Sequence, residues 1–367
     1  MGNNQTVKIA IFCGGSGSRM WPASRSDKPK QFQPLIGGKS TFEKLVVSLE
    51  KEFGSTNIFP VARREFVGHI VSQAPHIPLE NIIIEPEGRD TMAAIGFAAM
   101  VLDTKFDNPT VISLWSDHLI KNESNFLKSL RKAANVSAST AKIVELGVRA
   151  TFPSTQLGYI KIGKMLEKED GLGLFEFIAQ IEKPNLEKAQ EFLESWEYLW
   201  HLGYSVWNTK TLLGYYEQFS PSTFKTLQKI SHLIQGGDSS SKTVKDLFAT
   251  IDKTSIDYAI YEKLGPTDRL VISADLGWSD VGTWDVLKDE LSSKPDDNVS
   301  TNKSITVEAS DTLLFSTNQR KMLVAVGVKG VVVVDTDDAI LVVSKDNSGK
   351  VKDAVVKLKE EGHEDYL

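Results

Sequence analysis

Short apolar runs alternate with amphipathic stretches over the first part of the chain. Lys8–Phe12 reads as a strand and Thr41–Glu52 as a helix; Asn57–Val61 is a second strand, followed by a helical stretch near Arg63–Ser72. Asn81–Ile84 forms a third strand, Met92–Leu102 an alanine-rich helix, Thr110–Trp115 a fourth strand and Phe126–Ala134 another helix. This alternation predicts a parallel sheet with helices on both faces. Ligands of such sheets bind beyond the carboxyl ends of the strands. The segments after Phe12, Ile84 and Trp115 are therefore where chemistry is expected.

From Ile143 to about Ile181 the pattern changes to shorter strands with glycines, and helical stretches return from Leu186 to Leu264. The polar, proline-containing run Lys294–Asn298 reads as a linker. After it, Ser304–Val307, Thr312–Ser316, Met322–Val326, Gly330–Val334 and Ala339–Val343 are β-branched runs separated by turns. A spacing of about nine residues predicts a small all-β unit, with stacking as a β-helix the weaker expectation because no exact repeat is visible. Lys350–Leu367 is charged and helical at first. The expected fold class is α/β, a Rossmann-like mixed, mostly parallel sheet flanked by helices, with a small C-terminal all-β, left-handed β-helix-like domain. Expected domains are residues 1–293 and 299–367.

Composition narrows the class. A chain of 367 residues allows two or three folding units. With 41% hydrophobic and 25% charged residues it falls among ordinary globular proteins. The net charge of -6 argues against broad nucleic-acid binding, yet a local cluster of Lys and Arg can still hold a phosphate. The one cysteine, Cys13, excludes a disulfide within the chain and a multi-cysteine zinc site. It lies in an apolar run, as a buried structural thiol would, and a redox or nucleophilic role has no local support. Met1–Thr6 is polar and lacks an apolar signal core, and no run approaches the ~20 apolar residues of a membrane span. Neither membrane nor nucleic acid is expected as a partner, and the expected location is cytoplasmic, where nucleoside triphosphates are plentiful.

The strand Lys8–Phe12 runs into Cys13-Gly14-Gly15-Ser16-Gly17-Ser18-Arg19. Glycines bring backbone close to a ligand and take up positive φ, and successive N–H groups then form an anion-binding nest. Arg19 would add a bidentate charge for phosphate oxygens. A plain tight turn is the bland alternative. A dinucleotide fingerprint fails because Met20 stands where its third glycine belongs, and a P-loop fails because no GK[ST] follows. Arg19, Arg25, Lys28 and Lys30 instead fall within twelve residues, interrupted by prolines. A solvated charged loop is the competing reading.

Gly14-Gly15-x-Gly17-x-Arg19-x-Trp21-Pro22-x-Ser24-Arg25, followed by Pro29-Lys30-Gln31-Phe32, closely resembles the signature of bacterial mannose-1-phosphate guanylyltransferases. The resemblance implies triphosphate binding by Gly14, Gly15, Gly17, Ser18 and Arg19, with Lys30 on phosphate. Glu85-Pro86-Glu87-Gly88-Arg89-Asp90-Thr91 looks like the family's Glu-Pro-x-x-Arg-Asn-Thr segment near the nucleoside, which brings in Glu85, Arg89, Asp90 and Thr91. Asp90 replaces the usual asparagine; it can accept from guanine N–H groups but cannot donate. Asp90 or Thr91 also suits a helix cap. Trp115-Ser116-Asp117-His118 matches a Pro-Ala-Asp-His element in its last two residues, which makes Asp117 a metal ligand. For His118 a role as a mere hydrogen-bonding partner stays open.

Gly158 and Tyr159 resemble part of a Gly-Tyr-Gly-Tyr-Ile element near the sugar, and Glu182-Lys183-Pro184 matches the family's Glu-Lys-Pro. Glu182 is expected on sugar hydroxyls and Lys183 at the sugar phosphate. In Tyr198-Leu199-Trp200-His201-Leu202-Gly203, His201 replaces an asparagine that bonds sugar hydroxyls; imidazole can bond a hydroxyl too, with different shape and protonation. Asp257, in a Ser-Ile-Asp-Tyr-Ala match, is expected to shape the sugar and metal site, unless it and Ser255 serve only the helix start. Gly277-Trp278-Ser279-Asp280-Val281-Gly282-Thr283-Trp284 matches strongly, and its Asp280 is expected to join Asp117 around the metal. Coverage runs from about Lys8 to Leu287, with a weaker echo in the β-rich tail. The chain ends too early for the isomerase domain of larger relatives, so one activity is expected.

The implied reaction is attack of mannose 1-phosphate on the α-phosphorus of GTP with Mg²⁺, giving GDP-mannose and pyrophosphate. Arg19, Lys30, Asp117 and Asp280 are the expected catalytic residues. Asp90 and His201 leave another base or hexose open. A non-catalytic nucleotide-sugar-binding subunit and an NAD-dependent enzyme are the alternatives from other classes. The β-rich tail would suit a homodimer, with nothing local to prove it.

Overall fold

The structure is a computed structural model that describes residues 7–15, 17–236 and 242–367. Ser16 of the glycine segment and the polar start Met1–Thr6 lie outside the described residues. The chain divides into two compact units. The first comprises Met1–Gly14, Val46–Ser116 and Ile120–Trp278; the second Gly15–Leu45, Asp117–Leu119 and Ser279–Leu367.

The first unit begins with β1 (Lys8–Phe12), β2 (Ile58–Arg63), β3 (Ile83–Glu85) and β4 (Thr110–Trp115). Helices α1 (Thr41–Phe53), α2 (Val67–Gln73) and α3 (Asp90–Phe106) connect them in chain order. β1 pairs in parallel with β2 and β4, and β2 with β3, as the alternation predicted. Short β5 (Leu119–Ile120) and α4 (Glu123–Thr140) lead into β6 (Ile143–Arg149). Then come β7 (Gly158–Glu169), β8 (Leu172–Ile181), α5 (Leu186–Ser195) and β9 (Tyr198–Asn208). After α6 (Thr209–Phe219), α7 (Pro221–Gln235), α8 (Lys242–Ala249) and α9 (Ile256–Ala259), β10 (Arg269–Ser273) completes a nine-stranded sheet. Its order is β3-β2-β1-β4-β9-β6-β10-β8-β7.

The sheet is mixed. β9 runs antiparallel between β4 and β6, and β7, β8 and β10 add further antiparallel pairs. Two sequence expectations are corrected here. Leu186–Leu264 is not uniformly helical, because β9 lies within it. Ile143–Ile181 does not hold only short strands, since β7 has 12 residues and β8 has 10. β9 is buried along nearly its whole length, and such an apolar run lacks the alternation that distinguishes a strand from a buried helix.

Between its polar ends, helix α3 is apolar on all sides over Met92–Leu102 and lies inside the core rather than on the surface. It packs with Ala10, Phe12, Phe59 and Val111 of the strands and with Leu212, Tyr216 and Leu227 of α6 and α7. A methyl on Gly96 would come 2.7 Å from the Tyr216 ring, so only glycine allows this close approach.

In the second unit, β11 (Trp278–Ser279) precedes α10 (Trp284–Leu291) and six short strands: β12 (Val299–Ser300), β13 (Ser304–Val307), β14 (Leu313–Ser316), β15 (Leu323–Val326), β16 (Val331–Asp335) and β17 (Ile340–Ser344). β12, β14 and β16 stack in parallel, as do β13 and β15, while β17 returns antiparallel to β16. The result is a β-coil with Leu313, Phe315, Val332, Val334 and Leu341 inside. Met20, Ala23 and Leu35 from the N-terminal part of the chain join the same core, with Trp284 and Leu287 of α10. Lys294–Asn298 is a pinned turn: Asp297 accepts from the amides of Ser293 and Lys294, and the buried Lys288 binds Pro295 O and Asp311. Helix α11 (Val351–Glu360) and a short turn follow.

Candidate active site

Two groups of the singled-out residues gather, each inside one unit. In the second unit the glycine-rich loop follows β1 directly. Gly15 and Gly17 have φ of 92° and 58°, in the region that favours glycine. A methyl on Gly17 would meet Ser24 Oγ at 2.7 Å and the Lys30 stem at 3.0 Å, so the loop closes tightly on itself. Ser18 and Arg19 form a single 3₁₀ turn with Met20, which is fully buried. Cys13, just before the loop, is buried as expected.

Lys30 is the centre of this group. Its Nζ lies 3.1 Å from Asp117 Oδ2 and donates to the Asp280 carbonyl at 3.0 Å. Arg19 and Asp280 flank Gly282: a methyl there would be 3.5 Å from Arg19 Nη2 and 3.0 Å from Asp280 Oδ2. Burial pushes the Asp117 carboxyl up, but the charges of Lys30 and His118 outweigh it and hold it below the usual carboxylate range. His118 Nε2 lies 3.9 Å from Asp117 Oδ1. Its imidazole is pushed down, first by burial, with Asp117 and Asp280 opposing and Lys30 assisting. Arg25 faces elsewhere, toward Asp338 at 2.6 Å and the carbonyl of Tyr366.

Lys30 touches both the Asp117 carboxylate and the Asp280 backbone, so the two aspartates flank one ammonium. Among the described residues no group of three or more His, Cys, Asp or Glu side chains could hold a metal. Two carboxylates without further protein ligands fit a hard divalent cation that takes its remaining oxygens from water and substrate phosphates. The donor set therefore suits such a cation and would not suit a structural zinc site.

In the first unit a buried polar network centres on His201. Its Nε2 lies 3.2 Å from Glu145 Oε1, and its Nδ1 lies 3.7 Å from Asp257 Oδ1 and 3.1 Å from Gln180 Nε2. Gln180 donates to Asp257 at 2.9 Å. Arg269 closes the network through Glu145, Gln180 and the Tyr261 carbonyl. Burial lowers the His201 imidazole, but the hydrogen bond and charge of Glu145, then the charge of Asp257, raise it above an ordinary histidine. Burial raises Glu145, and Arg269 and His201 more than reverse it. A methyl on Gly158 would strike the Glu182 carboxylate and lie 3.3 Å from His201 Cβ, so Gly158, Glu182 and His201 converge. Lys183 pairs with Glu182 at 3.3 Å and is half exposed.

The segment after β3 is tied to the chain around Ile251 and Ile256. Arg89 donates through Nε and Nη2 to the Ile251 carbonyl, at 2.9 and 2.6 Å. Thr91 Oγ1 accepts from Ile256 N at 2.9 Å, and Asp90, at φ 67°, accepts from Thr91 N. Ser255 caps α9. Glu85 ends β3, and burial pushes its carboxyl up to about 7. Glu145, Gln180, Arg269 and Tyr261 were not singled out from sequence. The available signal was Glu145 inside the otherwise apolar stretch Ile143–Val148, since a charge buried on a strand needs a partner.

Residues 8–295 match the Nucleotidyl transferase family, and residues 302–358 match the MannoseP isomerase/GMP-like beta-helix domain. The chain is 33% identical over 354 residues to the Xanthan biosynthesis protein XanB of Xanthomonas campestris pv. campestris (strain B100), covering 96% of this chain and 73% of the relative. It is 32% identical over 358 residues to the mannose-1-phosphate guanylyltransferase of Klebsiella pneumoniae, covering 97% and 74%. Among solved structures, the mannose-1-phosphate geranyltransferase from Thermus thermophilus superimposes with a TM-score of 0.84 at 26% identity, covering 96% of this chain and 99% of that one. No helix among the described residues is long and apolar enough to cross a membrane. With the family model spanning residues 8–295 and relatives about a third identical over nearly the whole chain, the chain belongs to the nucleotidyl transferase family.

Proposed function

We propose that this chain transfers a guanylyl group from GTP to mannose 1-phosphate, giving GDP-mannose and pyrophosphate. The observation that carries the reading is the gathering of Lys30, Asp117 and Asp280 beside the glycine loop. Relatives that bear the name mannose-1-phosphate guanylyltransferase, at about a third identity over nearly the full chain, support it.

A phosphate oxygen of the sugar 1-phosphate attacks the α-phosphorus; a P–O bond forms there and the bond to the β-phosphate oxygen breaks. The nucleophile is already anionic, so no strong general base is required. The protein's task is alignment and charge neutralisation. The loop amides of Gly14, Gly15, Gly17 and Ser18 cradle the triphosphate, and Arg19 stabilises the leaving pyrophosphate. Lys30 holds the approaching anions. Asp117 and Asp280 would hold Mg²⁺, which supplies charge neutralisation between phosphate groups. Glu85, Asp90 and Thr91 face the nucleoside; Gly158, Glu182, Lys183, His201 and Asp257 serve the sugar phosphate.

A second reading, a different hexose 1-phosphate, rests on His201 and its buried partner Glu145. A matrix of five nucleoside triphosphates against several hexose 1-phosphates, scored for pyrophosphate release by the purified chain, separates the readings. GTP with mannose 1-phosphate is expected to give the highest kcat/KM. A maximum with another hexose selects the second reading, and no release with any pair leaves a nucleotide-binding subunit.

A further inference from the structure

The loop that carries Arg19 and Lys30 includes Trp21–Ser26, whose polar groups turn to the C-terminal part of the same unit. Trp21 Nε1 donates to the Tyr366 carbonyl at 2.7 Å, and Arg25 donates to that same oxygen. Arg25 also pairs with Asp338 at 2.6 Å and donates to Pro22 O at 2.7 Å. Ser26 Oγ donates to Leu367 O at 3.0 Å. The Trp21 carbonyl in turn accepts from Trp284 Nε1 at 2.9 Å. Met20, next to Arg19, sits in the apolar core of the β-coil.

Between the loop and the C-terminal residues lies a cavity of about 480 Å³, bordered by Ser18, Ser24, Arg25, Lys359 and Leu367. Side-chain packing does not fill this space; Ala23 anchors Trp21–Ser26 in the β-coil core, and the hydrogen bonds around the cavity fix the rest of its course. A guanidinium is a rigid fork of donors. In Arg25 that fork is spread over Pro22, Tyr366 and Asp338, which directs it away from a phosphate.

We propose that Arg25 is a positioning residue: with Asp338 and the Tyr366 carbonyl it latches the phosphate loop to the β-coil and thereby sets Arg19 and Lys30 for the triphosphate. The proposal rests on the reading that a nucleoside triphosphate binds this loop. Misplacing a binding group by an ångström is enough to weaken a site strongly. The Asp338 side chain is half exposed, so Asp338→Asn is expected to break the latch with the fold in place.

The test uses the full chain with Arg25→Gln, Asp338→Asn and Arg25→Lys. GTP affinity is measured by calorimetry with Mg²⁺ and no sugar present, thermal midpoints are recorded, and KM is measured for each substrate. Arg25→Gln and Asp338→Asn are expected to weaken GTP binding about tenfold. KM for mannose 1-phosphate and the thermal midpoint should stay near wild type, and Arg25→Lys, which keeps the ion pair, should recover part of the loss. Unchanged GTP affinity in both variants overturns the latch, as does an equal loss for both substrates with a lowered midpoint. If the wild-type chain itself binds no triphosphate, the functional reading falls and takes the latch with it; wild-type binding matched by the variants sinks the latch alone.

Discussion

Lys30 Nζ lies 3.1 Å from Asp117 Oδ2 while donating to the backbone of Asp280. One ammonium thus joins three segments distant in sequence: the glycine loop, the residues that follow β4, and the Gly277–Trp284 element. If these groups neutralise phosphate charge as proposed, Asp280→Ala should cost ~3–4 kcal/mol of transition-state stabilisation, about 10²–10³ in kcat. The circular-dichroism spectrum should be that of wild type. Near-normal turnover would remove Asp280 from the metal site.

Gly17 is the most constrained position of the loop. With φ at 58° and Ser24 Oγ only 2.7 Å from where a methyl would sit, Gly17→Ala meets both backbone strain and a clash. Strain of this kind costs ~1–3 kcal/mol. Denaturant unfolding should show a loss of that size, together with weaker triphosphate binding. A variant as stable as wild type would mean that the loop has another conformation of equal energy.

His201 supplies a pH signature. Its folded-state value is raised, by Glu145 and Asp257 acting against burial. Its contribution to stability is then fully present below about pH 6.5, the ordinary histidine value, and is lost as pH rises through the folded value. The stability difference between wild type and His201→Asn should therefore shrink from about pH 6.5 upward. In wild type the imidazole midpoint, followed by NMR, should fall on Glu145→Gln. A midpoint that does not move would uncouple the two side chains.

Glu85 behaves in the same sense for a different reason. Burial pushes its carboxyl up to about 7, so its folded form is favoured while protonated and loses stability as pH rises through that value. Glu85→Gln should match wild type near pH 5 and exceed it in thermal midpoint at pH 8. Equal midpoints at both values would show the carboxyl to be solvated.

The parallel half of the sheet was legible because β1 to β4 alternate with amphipathic helices, and the loop because its glycines and cations cluster in a short stretch. The strand β9 was not, since burial of Tyr198–Asn208 erases the period-two pattern. The gathering of Lys30, Asp117 and Asp280 was expected only through resemblance, for nothing local in sequence brings such distant residues together. Arg25 was legible only as one of four clustered cations, because the acceptors it finds, Asp338 and the Tyr366 carbonyl, lie at the other end of the chain. Arg89 and Thr91 similarly carry contacts to Ile251 and Ile256 that no short motif encodes. Glu145 and Arg269 pair across two strands whose adjacency depends on sheet order.

The core shared by Met20, Ala23 and Leu35 with Leu313, Phe315 and Val332 also fixes a time order for synthesis. A ribosome adding ~5–20 residues per second completes the β-coil roughly 15–60 s after it has made the glycine loop. During that interval Met20 and its apolar neighbours have no core to enter, and they are candidates for chaperone capture. The loop made first is among the last parts of the nascent chain to find its place.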